Sequence, residues 1–457
     1  MNTKEYLDYL RRRELLKFPS VIDWCKDETI RYFQSSKEQN VTVKDKNVAL
    51  ESKLRANCDY YAHECYGKIL PAQVAERLEY ELEMICRNGN SRLYLLAYEI
   101  AKACVIEGIP QLARGCAGSS YVAFLLHITR TSPLVEHLYC PCCGYTDFVR
   151  DYDKYRVDKK WTRVGACFIN TANGVWYSMR CPFCNGELKE GGHNIPPEPF
   201  FGLEGEKTPI FELDVPAELK DGVEELLARI LDDDELLGAD SDEQYVESIN
   251  SVKINGNPLL SMLNNLQDLT EVIEAAIPFE GIVYNEFFRS NMHSEIPLLD
   301  DIPQAITDKY HIESFADMIN VLGLHHGAGV WENNAEIILS RYPPNGAEKL
   351  IAHREDIMLE LMRHGVEREK AFHIMETVRR GKALQLTDED IAVMKDAGVS
   401  DEYIDSMMKI RYLFPKSHDT EFGIRIFKLM WYSRYYYEEY SQALKEYKDA
   451  LSSGKGE

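Results

Sequence analysis

Two C-x2-C pairs restrict the fold of this chain more than any other sequence feature. Cys140 and Cys143 form the first pair, and Cys181 and Cys184 form the second. A C-x2-C turn presents two thiolates on one side, and two such turns together supply the tetrahedral sulfur coordination that zinc adopts in structural sites. We therefore predict that these four cysteines bind one Zn²⁺.

The zinc is expected to be structural, because four thiolates fill the coordination sphere and catalytic zinc keeps one position open. Between the pairs, two segments of alternating polarity flank Asn173-Gly174, which predicts a β-hairpin. Cys142 is surplus, since it forms only a C-x-C pair with Cys140. The alternative interpretation is a set of free thiols or redox pairs.

Length and charge limit the classes of protein to consider. The 457 residues indicate several domains. A net charge of −23 disfavours tight binding of nucleic-acid phosphates, although a local basic face can coexist with it. No secretory signal and no apolar run of about 18 residues is evident, so we expect a cytoplasmic protein with reduced cysteines and no membrane association.

The first half of the chain carries helical periodicity. Apolar residues recur at helical spacing between about 56 and 109, and Asn88-Gly89 ends one of the predicted helices. A glycine-serine loop follows at 114–120, and the apolar run YVAFLLHIT after it predicts another helix.

The second half divides into an acidic stretch and a helical region. Residues 212–247 are acidic around Asp232–Glu235, which is typical of a solvated helix and loop. From about 311 onward the pattern is helical, with a break at Gly365 and N-caps predicted at Thr387 and Ser400.

Several long segments share one resemblance. They include LPAQVAERLEYELEMICRNGNSRLYLLAYEIAKACVIEGIPQLARGCAGSSYVAFLLHITRTSPLVEHLYCP, GGHNIPPEPFFGLEGEK, LGLHHGAGVWENNAEII and YIDSMMKIRYLFPKSH. Together with the cysteine pairs, they resemble the polymerase core of PolC-type DNA polymerase III, a C-family replicative polymerase of bacteria. The match covers residues 56–209 and about 313–418, which implies a truncated core without the family's exonuclease and clamp-binding regions.

The resemblance implies an α+β fold: a palm of the polymerase-beta nucleotidyltransferase type, an inserted zinc ribbon and helical fingers. The expected domains are an N-terminal helical extension (1–55), a palm-like domain in two parts (56–139 and 191–310), the zinc-ribbon insertion (140–190) and a fingers-like domain (311–457).

The resemblance also implies a nucleotide site. The family's glycine-serine loop holds the triphosphate of the incoming nucleotide, and a glycine loop before a helix does point N–H groups at an anion. The fingers supply basic residues, for which Arg354, Lys416 and His418 are further candidates. The predicted nucleotide-binding residues are Arg114, Gly115, Gly118, Ser119, Ser120, Arg363, Arg379, Arg380 and Lys382. Without the resemblance, an exposed helical charge is the preferred explanation for each of these cations.

The catalytic acids of the family are degenerate in this chain. Polymerases hold two Mg²⁺ ions with carboxylates. The family's strand pattern Pro-Asp-Ile-Asp-Leu-Asn-Phe aligns with PIFELDV, so that Ile210 and Glu212 replace the two aspartates, and the third acid aligns with Lys253. The segment between these strands is also shortened, to about 40 residues. Glu212 and Asp214 keep the i, i+2 spacing that places two carboxylates on one strand face.

Three hypotheses follow. The first is an inactive polymerase relative, a pseudoenzyme in which the core binds nucleotide, DNA or a replication protein. The second is an active minimal nucleotidyltransferase that uses Glu212 and Asp214 with Mg²⁺. The third is a protein-binding regulator or decoy that imitates the polymerase, to which an acidic surface is suited.

Overall fold

A computed structural model of the chain shows a mixed α and β protein in which helices predominate. It describes residues 43–148, 161–164, 167–170, 175–196, 198–232, 242–274, 277, 282–290, 292–342 and 349–453. Within those ranges, no helix is both long and apolar enough to cross a membrane.

Helices occupy most of the described chain. In chain order they are α1 (Val43–Tyr66), α2 (Ala72–Arg87), α3 (Ser91–Ile106), α4 (Tyr121–Leu125), α5 (Glu198–Phe201), α6 (Lys220–Asp232), α7 (Asp242–Ser251), α8 (Pro258–Thr270), α9 (Tyr284–Arg289), α10 (Gln304–Thr307), α11 (Phe315–His326), α12 (Glu336–Arg341), α13 (Arg354–Arg363), α14 (Arg368–Val378), α15 (Asp388–Asp396), α16 (Asp401–Lys409), α17 (Lys416–Tyr435) and α18 (Tyr437–Ser452).

The strands of the described residues form three small sheets of three strands each. The strands are β1 (Leu112–Ala113), β2 (His137–Tyr139), β3 (Thr146–Asp147), β4 (Trp161–Val164), β5 (Cys167–Asn170), β6 (Val175–Ser178), β7 (Lys189–Gly191), β8 (Phe211–Pro216) and β9 (Val252–Asn257).

The sheet of β1, β8 and β9 contains the residues that the sequence analysis aligned with the catalytic acids of the polymerase family. β8 lies in the centre, antiparallel to β1 and parallel to β9, with Glu212 opposite Lys253 and Asp214 opposite both Asn255 and Leu112. The connection from β8 to β9 contains α6 and α7. A crossover through helices is what a parallel strand pair requires.

Two large apolar cores flank this sheet. One core combines α1 to α4 with β8, β9 and α6, and the other extends from α8 to α18. A third, small cluster lies beneath the cysteine pairs and includes Leu138, Met179 and Leu188. The side chains of β8 belong to the first core, whereas α8, which directly follows β9, belongs to the second.

Most helix boundaries follow the predicted signals. Asn88 and Gly89 end α2, and Gly89 has a φ of +68°. Thr387 forms a capping box with Asp390, and the Ser400 hydroxyl accepts a hydrogen bond from the Tyr403 amide.

The apolar run after the glycine-serine loop is helical only in part. α4 ends at Leu125, and His127 adopts a φ of +58°. The Ile128 amide then donates to Ala123 O, which closes the helix in a tight turn. This helix is therefore shorter than predicted.

The predicted hairpin between the cysteine pairs is confirmed in its strands, since β5 and β6 are antiparallel with Asn170 opposite Val175. Its turn at Asn173-Gly174 lies outside the described residues. The same is true of residues 1–42, of the centre of the acidic stretch at 233–241 and of the end of the chain at 454–457.

Candidate functional site

The four predicted zinc ligands lie together. The sulfur atoms of Cys140, Cys143, Cys181 and Cys184 are all within 4.8 Å of one another, and they are the one group of three or more potential ligands found among the described residues. The Cys140–Cys184 and Cys143–Cys181 sulfur pairs are 3.4 and 3.5 Å apart. Sulfurs around tetrahedral zinc are separated by about 3.8 Å, so the donor set and its spacing fit this ion.

Two short backbone turns hold the thiols in place. In the first, the Gly144 amide donates to Cys140 O and the Cys140 amide donates to Tyr145 O. In the second, the Asn185 amide donates to Cys181 O and the Cys181 amide donates to Gly186 O. Each turn thus closes on itself with the same pair of bonds.

Neighbouring strands anchor both turns. The first turn joins β2 to β3, and the second is closed by the bond from the Leu188 amide to Met179 O. β2 also pairs with β7, which brings the two turns together in one sheet. The β5–β6 hairpin belongs to a separate sheet, so it does not itself carry the two turns.

The carboxylate of Asp214 on β8 is buried and fully engaged. The Arg114 Nε and Asn257 Nδ2 atoms each donate to its Oδ2 at 2.6 Å, and Asn255 Nδ2 donates to Oδ1 at 3.3 Å. Its side chain has no exposed surface. Burial raises the pKa of Asp214, and the hydrogen bonds from Asn257 and Arg114 offset part of that rise.

Glu212 on the same strand face has a cation as its neighbour. The Lys253 Nζ atom lies 3.6 Å from Glu212 Oε1, and both side chains are a little under half exposed. Ile210, which aligns with the family's first aspartate, is half exposed just before β8. Lys253 on β9 therefore stands directly beside Glu212 on β8.

Glu81 of α2 neutralises the start of the helix that follows the glycine-serine loop. Its carboxylate accepts hydrogen bonds from the amides of Tyr121 and Val122 at 2.9 and 3.1 Å and from the Ser120 hydroxyl at 2.8 Å. Arg77 pairs with the same carboxylate at 2.5 Å. The anion at this helix N-terminus is thus a side chain of the protein itself.

The remainder of the loop packs against the start of α17. The Ser417 hydroxyl donates to Gly115 O at 2.8 Å, and the Gly115 amide donates to His418 Nδ1 at 3.3 Å. A Cβ atom on Gly118 would lie 2.7 Å from the Cβ of Thr131, and Ser119 is fully buried. Close packing therefore requires the glycine at 118 irrespective of any ligand.

A group of basic side chains lies beside this loop, and Glu376 interacts with all of them. The Arg354 guanidinium is buried and lies 3.0 Å from the Cys116 sulfur. Glu376 pairs with Arg379 at 2.5 Å, Arg380 at 2.6 Å and Lys207 at 3.8 Å, and it also interacts with Arg354.

One further candidate, Arg363, lies apart from this group. Arg363 is paired with Glu360 at the far end of α13, about 14 Å along the helix axis from Arg354. There it borders a cavity of about 270 Å³ lined by Tyr310 and Tyr403. Lys382 lies in the turn that follows α14.

Sequence reasoning missed a buried cluster around Asp419. Its two carboxylate oxygens lie 2.7 Å from His326 Nδ1 and 3.1 Å from His353 Nε2. Burial alone would raise the pKa of Asp419, but the hydrogen bonds from both histidines hold it well below its usual range. No local pattern could reveal this cluster, because the partners are 93 and 66 residues away.

Asn257 was also missed, although a local signal existed. Its side-chain oxygen caps α8 by accepting from the Leu259 amide, and Pro258 occupies the first helical position. The dipeptide Asn-Pro is a recognisable helix start. Its second role, the hydrogen bond to Asp214, depends on the pairing of β8 with β9.

Part of the chain matches a known protein family. Residues 52–238 match the family described as the bacterial DNA polymerase III alpha NTPase domain. This region contains the cysteine cluster, the glycine-serine loop and β8. This part of the chain is therefore similar to the bacterial DNA polymerase III alpha NTPase domain.

Three curated proteins that are similar to this chain are all DNA polymerase III of the PolC type. PolC-type DNA polymerase III of Caldanaerobacter subterraneus subsp. tengcongensis is 27% identical over 85% of this chain. Those of Staphylococcus aureus and Lacticaseibacillus paracasei are each 25% identical, over 83% and 89% of it. Most of the chain is thus similar to PolC-type DNA polymerase III, and it spans about a third of the length of these relatives.

Proposed function

We propose that this chain is a polymerase-related binding module that does not transfer nucleotides, in other words a pseudoenzyme. The observation that carries the proposal is the state of β8. Asp214 is buried and bonded to three nitrogen atoms, and Lys253 stands beside Glu212. In this interpretation, β1, β8 and β9 belong to a palm-like domain and the helices from about 311 to a fingers-like domain.

Two-metal catalysis requires carboxylate oxygens with free lone pairs that face the substrate. Freeing Asp214 would strip Arg114 and both asparagines of their acceptor. An ammonium at the position of the third acid repels a divalent ion, whereas an acid would attract it. The residues of this face therefore do not fit a pair of magnesium ions, and Glu212 and Asp214 are best regarded as vestigial.

Binding of a nucleotide or of DNA is the retained activity that we infer. Glu81 occupies the amides at the start of α4, so the phosphate contacts would fall to the cations near Cys116, principally Lys207, Arg379 and Arg380. Glu376 already neutralises part of their charge. The net charge of −23 further weakens phosphate binding. The partner could therefore be a replication protein in place of a nucleic acid.

The cysteine cluster is proposed to hold structural Zn²⁺ in this module, with the ribbon at 140–190 inserted between the two parts of the palm, 56–139 and 191–310. Residues 1–55 would form an extension before the palm and 311–457 the fingers-like domain. The protein is proposed to act in the cytoplasm, where reduced thiols remain available to the metal.

Primer extension tests the inactive state. The chain is expected to add no nucleotide to a primed template with Mg²⁺ or Mn²⁺, at enzyme excess and over long incubation. A Glu212→Ala variant purified in parallel controls for contaminating polymerase. Extension by the wild-type chain that this substitution abolishes would show that the chain is an active nucleotidyltransferase.

Nucleotide binding is tested separately by thermal shift and calorimetry with deoxynucleoside triphosphates and single-stranded DNA. Lys207→Ala and Arg379→Ala are expected to weaken binding at least about fivefold, because each removes a charged hydrogen-bond donor. Arg363→Ala, which removes a cation from the distant end of α13, is the matched control. If no nucleotide or DNA ligand binds and the chain captures a specific protein partner from lysate, the hypothesis of a protein-binding regulator or decoy would be favoured.

A further inference from the structure

Cys142 is a fifth thiol at the cysteine cluster. It lies in the first turn, between the ligands Cys140 and Cys143, and its side chain is exposed. Its thiol is in hydrogen-bonding contact with the Cys140 thiol and interacts electrostatically with Cys181 and Cys184. The sulfur of Cys142 therefore faces three of the four ligands that the cluster provides.

Gly186 leaves the space that the fifth thiol needs. A Cβ atom at this position would lie 3.1 Å from the Cys142 sulfur, 3.2 Å from that of Cys184 and 3.4 Å from that of Cys140. These three sulfurs thus surround one point where the second turn has no side chain.

We propose that Cys142 is an alternative zinc ligand that replaces Cys143 when the Cys143 thiolate is lost. The inference rests on the proposed zinc site and concerns which thiols can complete it. The exchange involves two adjacent residues of one exposed turn, whereas Cys140 and Cys181 are buried and fixed by the turn hydrogen bonds. Replacing one thiolate by the other keeps four sulfur ligands and the charge of the site.

Cys143 is nevertheless the better ligand. The Tyr145 amide donates a hydrogen bond to its sulfur, just as the amides of Phe183 and Gly186 donate to Cys181 and Cys184. No such bond to Cys142 is observed in the described structure. The loss of one net hydrogen bond lowers affinity by about five- to tenfold, which sets the expected cost of the exchange.

Zinc affinity of single and double variants tests the proposal. Competition with a chromophoric chelator, on full-length chains, measures the dissociation constant. Cys142→Ser is expected to bind as the wild type does, and Cys143→Ser about five- to tenfold more weakly. The double variant Cys142→Ser/Cys143→Ser and the matched control Cys181→Ser, which has no neighbouring cysteine, are expected to lose about 100-fold or more.

Cobalt substitution provides a second measurement that reports on the ligands directly. The sulfur-to-cobalt charge-transfer absorption per bound ion grows with the number of thiolates. It is expected to equal the wild-type value in Cys143→Ser and to fall by about a quarter in the double variant, as four thiolates become three.

Two results would overturn the inference alone, provided that the wild-type chain binds zinc. In the first, Cys143→Ser binds zinc as weakly as Cys181→Ser does. In the second, the double variant binds zinc as tightly as Cys143→Ser does. A wild-type chain that binds no zinc would overturn the proposed zinc site and this inference with it. The wild-type measurement therefore separates the two failures.

Discussion

The cysteine cluster and the β8 strand are two metal-site candidates in one chain, and they differ in what surrounds their ligands. Around each of the four sulfurs lie the other three sulfurs, and backbone amides of both turns donate hydrogen bonds to these thiols. Around the β8 acids, the neighbours are an arginine, a lysine and two asparagines.

Under the proposed function, this difference separates a metal site that is retained from one that is lost. Four thiolates held within 4.8 Å repel one another, so their arrangement is costly unless a cation joins them. At β8 the protein supplies its own cations, so the acids need no metal to be stable. The proposed zinc site would depend on an ion, whereas the acids of β8 have internal partners in place of one.

The largest expected effect is removal of metal from the cysteine cluster. Chelation should unfold the turns and their sheet, because a structural zinc site contributes on the order of 10 kcal/mol to the fold of its own module. Limited proteolysis with mass-spectrometric mapping should then show new cleavage between residues 137 and 191. The helices α13 to α17 serve as the internal control and should stay protected. Unchanged protection at the turns would mean that the cluster does not depend on an ion.

At β8 the corresponding test removes the cation instead. Arg114→Met should destabilise the chain by about 2 kcal/mol, because the buried Asp214 loses a charged hydrogen-bond donor. Denaturation in urea measures this loss. Adding Asp214→Asn to the same variant should recover part of the stability, since the uncompensated charge is then gone. A neutral result for Arg114→Met would show that Asp214 does not depend on this partner.

The contact between the glycine-serine loop and α17 should depend on pH. Burial lowers the pKa of His418 to about 4, below its value near 6.5 in an unfolded chain. Because protons then bind the unfolded state more strongly, the stabilising contribution is complete above pH 6.5 and is lost as the pH falls toward 4.

The loss should amount to about 3 kcal/mol across that interval, and His418→Gln should remove it from the pH profile of stability. The exposed His373 provides the matched control, and His373→Gln should leave the profile unchanged. Parallel profiles for the wild type and His418→Gln would contradict the assigned burial of this imidazole.

The smallest effect is expected at Lys253. The pair with Glu212 is nearly half exposed on both sides, so Lys253→Met should change stability by less than about 0.5 kcal/mol. Urea denaturation beside the Arg114→Met variant gives the comparison directly. A loss of stability as large as that of Arg114→Met would mean that Lys253 contributes substantially to the stability of this strand face.

Local sequence patterns determined much of the fold. The C-x2-C spacing specified both turns, Asn88-Gly89 the end of α2, and Thr387 and Ser400 the starts of α15 and α16. In each case the deciding contacts lie within about four residues, so the residue types alone carry the information. The palm and fingers assignments, the domain limits and the nucleotide-binding residues stay predictions that rest on the resemblance.

Only the tertiary structure decided which polar groups are available for function. The sequence indicated that Glu212 and Asp214 share a strand face. The partners that engage Asp214 come from the residue just after β1, 100 residues earlier, and from β9, 41 and 43 residues later. The carboxylate of Glu81 likewise reaches the loop from 40 residues away. A residue's type fixes what it can donate or accept, and the register of distant strands and helices decides which partner it meets.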